Sequence, residues 1–195
     1  MVFSPEAFAA YAGHDDPAAH LPVETWHPAC CGAIDMVIRR DGRWFHDGTP
    51  ILRPEMVRLF ARLLRRDADG YVLVTPVEKV AITVEDAPFV AVEMTAEPGR
   101  LVFRTNVGDR VTADAAHPLR FRTLEDGGFV PYVRVRGGLD ARLTPGLARD
   151  LAGLSEEVEG ALGVTSSNCF FMFGGADPLF DPAGSSLFSA EVHRR

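Results

Sequence analysis

The sequence predicts an α+β protein made of two related units, with a strand-strand-helix pattern that occurs twice. Three observations carry that expectation. A hairpin pattern over 34–51 runs into a helix pattern over 53–66. Seven short strand candidates follow between 71 and 136, and a second helix pattern opens at Thr144-Pro145.

Taken in order, Ser4-Pro5-Glu6 has the form of a helix start, with Ser4 as N-cap and Pro5 at the first helical position. The helix ends near Gly13, and 14–25 has the look of an irregular arm. Ile34, Met36 and Ile38 then alternate, Arg40-Asp41-Gly42-Arg43 turns, and Trp44-Phe45-His46 returns. Pro54 starts a helix with Met56, Phe60, Leu63 and Leu64 on one face; Arg58, Arg62, Arg65 and Arg66 fall mostly on the remainder. The strand candidates are 71–75, 78–85, 89–95, 100–106, 110–114, 119–124 and 129–136, separated by turn residues such as Thr75-Pro76, Asp86-Ala87-Pro88 and Glu97-Pro98-Gly99. Thr144-Pro145 begins a helix presenting Leu147, Leu151, Leu154 and Val158, and Phe170–Phe173 forms one more strand. A loop-like tail follows. The expected units are a hairpin-plus-helix over 1–70 and, over 71–195, a seven-stranded antiparallel barrel-like sheet with a closing helix. An internal echo links them: Asp41-Gly42, aromatics, Arg53-Pro54 and a helix, against Asp126-Gly127, aromatics, Thr144-Pro145 and a helix.

With 195 residues, the chain buries roughly 70% of its unfolded surface as one compact fold, enough for a core without staples. A net charge of −7 argues against nonspecific nucleic-acid or anionic-membrane binding. No apolar run approaches the roughly 18–20 residues of a membrane span, and the N-terminus lacks a signal-peptide pattern. Cys30, Cys31 and Cys169 leave an odd count with no disulfide framework, which points to a reduced cytoplasm.

Motifs for phosphate loops, dinucleotide binding, zinc proteases and esterases are missing. Trp26-His27-Pro28-Ala29-Cys30-Cys31-Gly32 offers three metal donors at most, with His46 as a fourth, and a packed loop explains it better. No metal or cofactor is expected. Val80, Ile82 and Val84 share a strand face with Glu78 and Asp86 at its two ends, roughly 26 Å apart in an extended strand, too far for one catalytic pair. Each acid either meets water where the stripe runs out or is buried against a donor. Arg53 stands at the hairpin–helix junction, suited to bidentate anion binding, and Arg134 and Arg136 share a strand face with Tyr132.

The strings WHPACCGAIDMVIRRDGRWFHDGTPILRPEMVRLFARLL, DGYVLVTPVEKVAITVEDAPFVAV and GFVPYVRVRGGLDARL together resemble the bacterial family called domain of unknown function 1285, over Trp26 to Phe173. The resemblance implies a duplicated core, a C-terminal half like a pleckstrin-homology barrel, a pocket for a nucleotide-like ligand at the interface of the units, and a role in signal transduction. It brings no catalytic residues. The residues expected to bind the ligand are Arg53, Thr75, Glu78, Lys79, Asp86, Phe89, Tyr132 and Arg134. Arg53, Lys79 and Arg134 neutralise an anion, Phe89 or Tyr132 stacks on its ring, and Glu78 or Asp86 orients the cations. The expected partners are this anionic small molecule and signalling proteins, with neither nucleic acid nor membrane among them. Two other classes compete. One is an enzyme, using Cys31 with His27 or using Asp86. The other is a protein-interaction module with an exposed apolar patch at Phe170–Phe173 or the tail.

Overall fold

The alternation of Ile34, Met36 and Ile38 builds β1 (Cys30–Ile38), with Met36 and Ile38 buried. A computed structural model describes residues 21–125 and 127–174 of the chain, without the Cys31 side chain. The helix expected from Ser4 and the tail after Gly174 lie outside the described residues.

In the turn after β1, the Arg39 N–H donates to Arg43 O at 2.9 Å and the Gly42 N–H to Arg39 O at 2.8 Å. Gly42 sits at φ 81°, which a residue without Cβ adopts freely. β2 (Trp44–His46) returns antiparallel, and β3 (Thr49–Pro50) pairs with it. Pro54 opens α1 (Pro54–Leu63) where no amide donor is needed. The helix buries Phe60, Ala61 and Leu63 and stacks Phe60 against Trp44, ring centroids 6.2 Å apart. The chain then passes directly into β4 (Leu64–Asp67), so Arg65 and Arg66 lie on a strand rather than on the expected helix. β5 (Gly70–Val74) and β6 (Lys79–Val84) complete a six-stranded sheet of order β3-β2-β1-β6-β5-β4.

The second unit has β7 (Phe89–Glu97), β8 (Arg100–Thr105), β9 (Arg110–Thr112), β10 (Leu119–Thr123), β11 (Phe129–Arg136) and β12 (Leu139–Leu143). They form a second six-stranded sheet, β10-β11-β12-β7-β8-β9. Thr144 caps α2 (Pro145–Ala152), its hydroxyl accepting from the Leu147 N–H at 3.4 Å. A small sheet follows, of β13 (Glu156–Val158), β14 (Ala161–Ser166) and β15 (Cys169–Met172). The expected strand at Phe170–Phe173 is thus present as β15, whereas Leu154 and Val158 lie beyond the helix expected to carry them.

Each large sheet is two three-stranded antiparallel meanders, joined where the first strand of one runs parallel to the last strand of the other. β1 pairs parallel with β6, and β7 with β12. The units are therefore duplicates in topology, and the helix is what differs. It follows the third strand in the first unit and the sixth in the second. The sequence echo, which sets the β1–β2 hairpin beside a later hairpin and helix, compares strands that are not equivalent.

Two expectations are corrected. The units divide between Asp86 and Ala87, not at 70/71. The reason is that strands 70–74 and 79–84 find their partners, β4 and β1, in the first sheet. The second sheet accordingly has six strands, not seven: it loses those two and gains β12.

Candidate functional site

In the second unit, strand alternation sorts side chains cleanly between two faces. Leu119, Phe121, Pro131, Val133, Leu139, Ala141 and Leu143 fall on one face of β10–β11–β12 by this alternation, and all are buried. The other face carries Arg120, Arg122, Tyr132, Arg134, Asp140 and Arg142. Register places Arg120 and Arg142 on either side of Tyr132, Arg122 opposite Val130, and Arg134 opposite Asp140. Directly opposed residues have Cβ atoms about 5 Å apart, so three strands gather four guanidinium groups and one carboxylate in a compact area. Tyr132 and Asp140 are fully buried, while the arginines are half-buried. The Arg134 Nε–H donates to Asp140 Oδ1 at 2.6 Å, and the Arg122 guanidinium lies 5.6 Å from the Tyr132 ring centroid.

A bulge sets the end of this face. Arg134 opposes Asp140, but Arg136 opposes Leu139, so Val135 and Arg136 share one partner. Such a bulge re-aims a side chain. Arg136 turns toward the core face, stacks 4.9 Å from the Phe89 ring centroid and pairs with Asp109 at 2.6 Å, at angles short of hydrogen-bond geometry. Arg134 and Arg136, expected together on one strip, are thereby separated.

The other expected residues divide by unit. Arg53 is exposed at the start of α1, its carbonyl accepting from the Met56 and Val57 N–H groups at 3.1 and 3.2 Å. Thr75 is buried, and its hydroxyl closes a turn, accepting from the Glu78 N–H at 3.1 Å and from the Val77 N–H at 3.4 Å. Glu78 is half-buried just before β6. Lys79 donates to Asp67 Oδ2 at 2.9 Å. Arg65 donates to the same carboxylate from Nε at 2.6 Å and from Nη2 at 3.1 Å, and from Nη1 to the carbonyls of Val23 and Trp26 at 2.8 and 2.6 Å. Burial is the largest single influence on the Asp67 carboxyl and pushes it up. Hydrogen bonds and charge from Arg65 and Lys79 outweigh it together, so the group titrates below its ordinary value. Asp86 is buried two residues past the end of β6, with Arg40 Nε 3.8 Å from Oδ2. In the second unit, Phe89 and Tyr132 are both 0% exposed, so they sit in the protein as core rings.

Register, not local motif, assembles the arginine face, and Arg120, Arg122 and Arg142 are the residues that sequence reading misses. A local signal exists in the alternating Arg120-Phe121-Arg122 and Leu139–Leu143 segments. Around the alternative thiol site, His27 and Cys30 are exposed, and the Cys31 side chain is outside the described residues. Among the described residues, no group of three or more His, Cys, Asp or Glu side chains is placed to hold a metal ion, and no helix is long and apolar enough to cross a membrane.

These features define a duplicated, sheet-rich α+β protein with a basic strand face in its second unit. Two family models cover most of the chain: the N-terminal domain of DUF1285, a domain of unknown function, over residues 21–87, and the DUF1285 C-terminal domain over 88–173. The chain belongs to the DUF1285 family. It is similar to the crystal structure of a DUF1285 family protein from Silicibacter pomeroyi DSS-3, at 44% identity and a TM-score of 0.77, covering 85% of this chain and 93% of that one. It is also similar to a DUF1285 family protein from Shewanella baltica OS155, at 28% identity and a TM-score of 0.50, covering 60% of this chain and 90% of that one. No curated protein matches. The family models meet at 87/88, one residue from the division between the compact units.

Proposed function

We propose that this protein is a small-ligand-binding regulatory or sensory protein of the cytoplasm, acting in signal transduction, and that its ligand is anionic. The observation that carries the reading is the face holding Arg120, Arg122, Arg134 and Arg142 around Tyr132, with Asp140 as the one carboxylate the face itself contributes. Guanidinium groups bind carboxylate and phosphate through paired hydrogen bonds, and a half-buried setting strengthens such bonds relative to open solvent. In this reading Arg120, Arg122 and Arg142 are the principal ligand contacts, and Arg134, bonded to Asp140, is a positioning residue. Arg53 is the first unit's own candidate anion contact. In this reading the second unit serves as a pleckstrin-homology-like module, and nucleotide-like phosphates are the first ligands to try.

Thermal unfolding against nucleotides, nucleotide second messengers and phosphorylated metabolites tests the proposal. A specific ligand at about 100 times its Kd stabilises by about 2.7 kcal/mol, a rise of about 5–10 °C for a chain of this size. Arg120→Ala with Arg142→Ala is expected to abolish the shift while the unliganded protein still unfolds cooperatively. A flat panel, or a shift that survives the double substitution, rejects this assignment.

A further inference from the structure

β10 is an edge strand of the second sheet, and its hydrogen-bonding pattern shows which way each backbone group points. The Arg134 N–H donates to Pro118 O at 3.1 Å and the Leu124 N–H to Gly128 O at 2.7 Å. In an antiparallel pair, hydrogen-bonded and non-hydrogen-bonded positions alternate. With the register Leu119↔Val133, Phe121↔Pro131 and Thr123↔Phe129, those three pairs are the non-hydrogen-bonded ones. The N–H and C=O groups of Leu119, Phe121 and Thr123 therefore point away from β11 and out of the sheet edge. Pro131 fits this assignment, since a proline is tolerated where β10 needs no donor. Among the described residues, no strand pairs with the outer side of β10.

Side chains on either face of this edge differ sharply in chemistry. Arg120 and Arg122 lie on one face. On the other, Phe121 packs edge-on to Phe129 at 5.3 Å and to Phe173 at 5.0 Å, while Phe129 and Phe173 stack at 4.7 Å and remain half-buried. An incoming strand reads both faces at once, because its own side chains alternate. A second copy of the chain fits poorly, since β10 against β10 sets arginine beside arginine.

We propose that β10 is a docking edge for an extended segment of a partner protein whose residues alternate between acidic and apolar. The segment adds as a seventh strand. Its backbone bonds to Leu119, Phe121 and Thr123, its carboxylates meet Arg120 and Arg122, and its apolar side chains meet the Phe121–Phe129–Phe173 cluster. This goes beyond the small-ligand reading because it rests on the strand edge as well as on the guanidinium groups.

The test is fluorescence anisotropy of the full chain with a synthetic eight-residue peptide alternating glutamate and valine, against the same peptide with lysine for glutamate. The acidic peptide is expected to bind, more weakly as salt rises, and the basic one to fail. Arg120→Gln with Arg122→Gln is expected to weaken binding at least about tenfold, roughly the loss of one charge-assisted contact. Thr123→Pro removes an outward donor without touching a β10–β11 hydrogen bond and keeps both arginines; it is expected to weaken peptide binding about tenfold while small-anion thermal shifts stay unchanged. Circular dichroism confirms that each variant is folded. Equal binding of both peptides, binding of neither, or acidic-peptide binding that Thr123→Pro leaves intact overturns strand addition.

Discussion

Arg134 and Asp140 face each other across β11 and β12, the arginine Nε–H donating to Oδ1 at 2.6 Å while the carboxylate is 0% exposed. A carboxylate taken fully out of water needs compensation, and this guanidinium supplies part of it from a side chain that is itself 22% exposed. Arg134→Ala is expected to cost about 3 kcal/mol, because the buried charge stays behind. Arg134→Met combined with Asp140→Leu is expected to cost much less, since charge and partner leave together. Urea unfolding of the three proteins decides it; a double variant less stable than Arg134→Ala contradicts the buried-charge account.

Asp67 predicts a pH dependence with a definite sign. Its folded carboxyl titrates below the ordinary value because Arg65 and Lys79 outweigh the effect of burial. Deprotonated Asp67 therefore stabilises the fold above its unfolded pKa, and the contribution fades as pH falls through the folded one. Asp41 and Asp114 also titrate low, so the whole-protein curve mixes several groups. Comparison with Asp67→Asn isolates this one. The difference in melting temperature between parent and variant is expected to be full near about pH 6 and to narrow as pH falls from about 4 to about 3. A gap that stays constant over that range contradicts the assignment.

Ser166 ties β14 to the large sheet of the second unit. Its buried hydroxyl donates to Ala113 O at 2.6 Å and accepts from the Leu101 N–H at 2.9 Å. Ser166→Ala removes the partner of a buried backbone donor and of a buried carbonyl, an expected cost of about 2 kcal/mol in chemical denaturation. Ser166→Cys, which keeps a weaker donor and acceptor, is expected to fall between the two. A change under about 0.5 kcal/mol, the ordinary range of surface substitutions, contradicts a bridging role.

What the sequence makes legible here is local. Pro54, Gly42 and Thr144-Pro145 announce a helix start, a hairpin turn and a second helix because each residue acts on its own backbone. β12 carries an equally local sign: Gly137 and Gly138, at φ 46° and 79°, form the two-residue turn of a hairpin, and Leu139, Ala141 and Leu143 alternate after it. Asp140 and Arg142 disguise that strand as polar loop, since their setting, opposite Arg134 and beside Tyr132, exists only after β11 and β12 pair. The same limit hides the arginine face, which joins residues from three strands, and the true strand-by-strand correspondence of the two expected duplicates. Its evidence is the parallel pairing of β1 with β6 and of β7 with β12, contacts more than forty residues apart in sequence.

Thr75 separates a turn-forming role from a ligand-binding one. Besides accepting from Val77 and Glu78, its hydroxyl donates to Glu78 O at 3.3 Å, and its backbone N–H donates to the same carbonyl at 2.8 Å. Each hydrogen bond of the hydroxyl stays within the turn that leads into β6. Thr75→Val keeps the shape and removes the hydroxyl, at an expected cost of about 1–2 kcal/mol from part-buried turn donors left without an acceptor. Thr75→Ser retains the oxygen and is expected to recover most of that stability. Neither substitution is expected to change the thermal shift produced by an anionic ligand. Should Thr75→Val leave unfolding unchanged yet abolish the shift, the hydroxyl is a ligand contact, and the turn is held by the backbone alone.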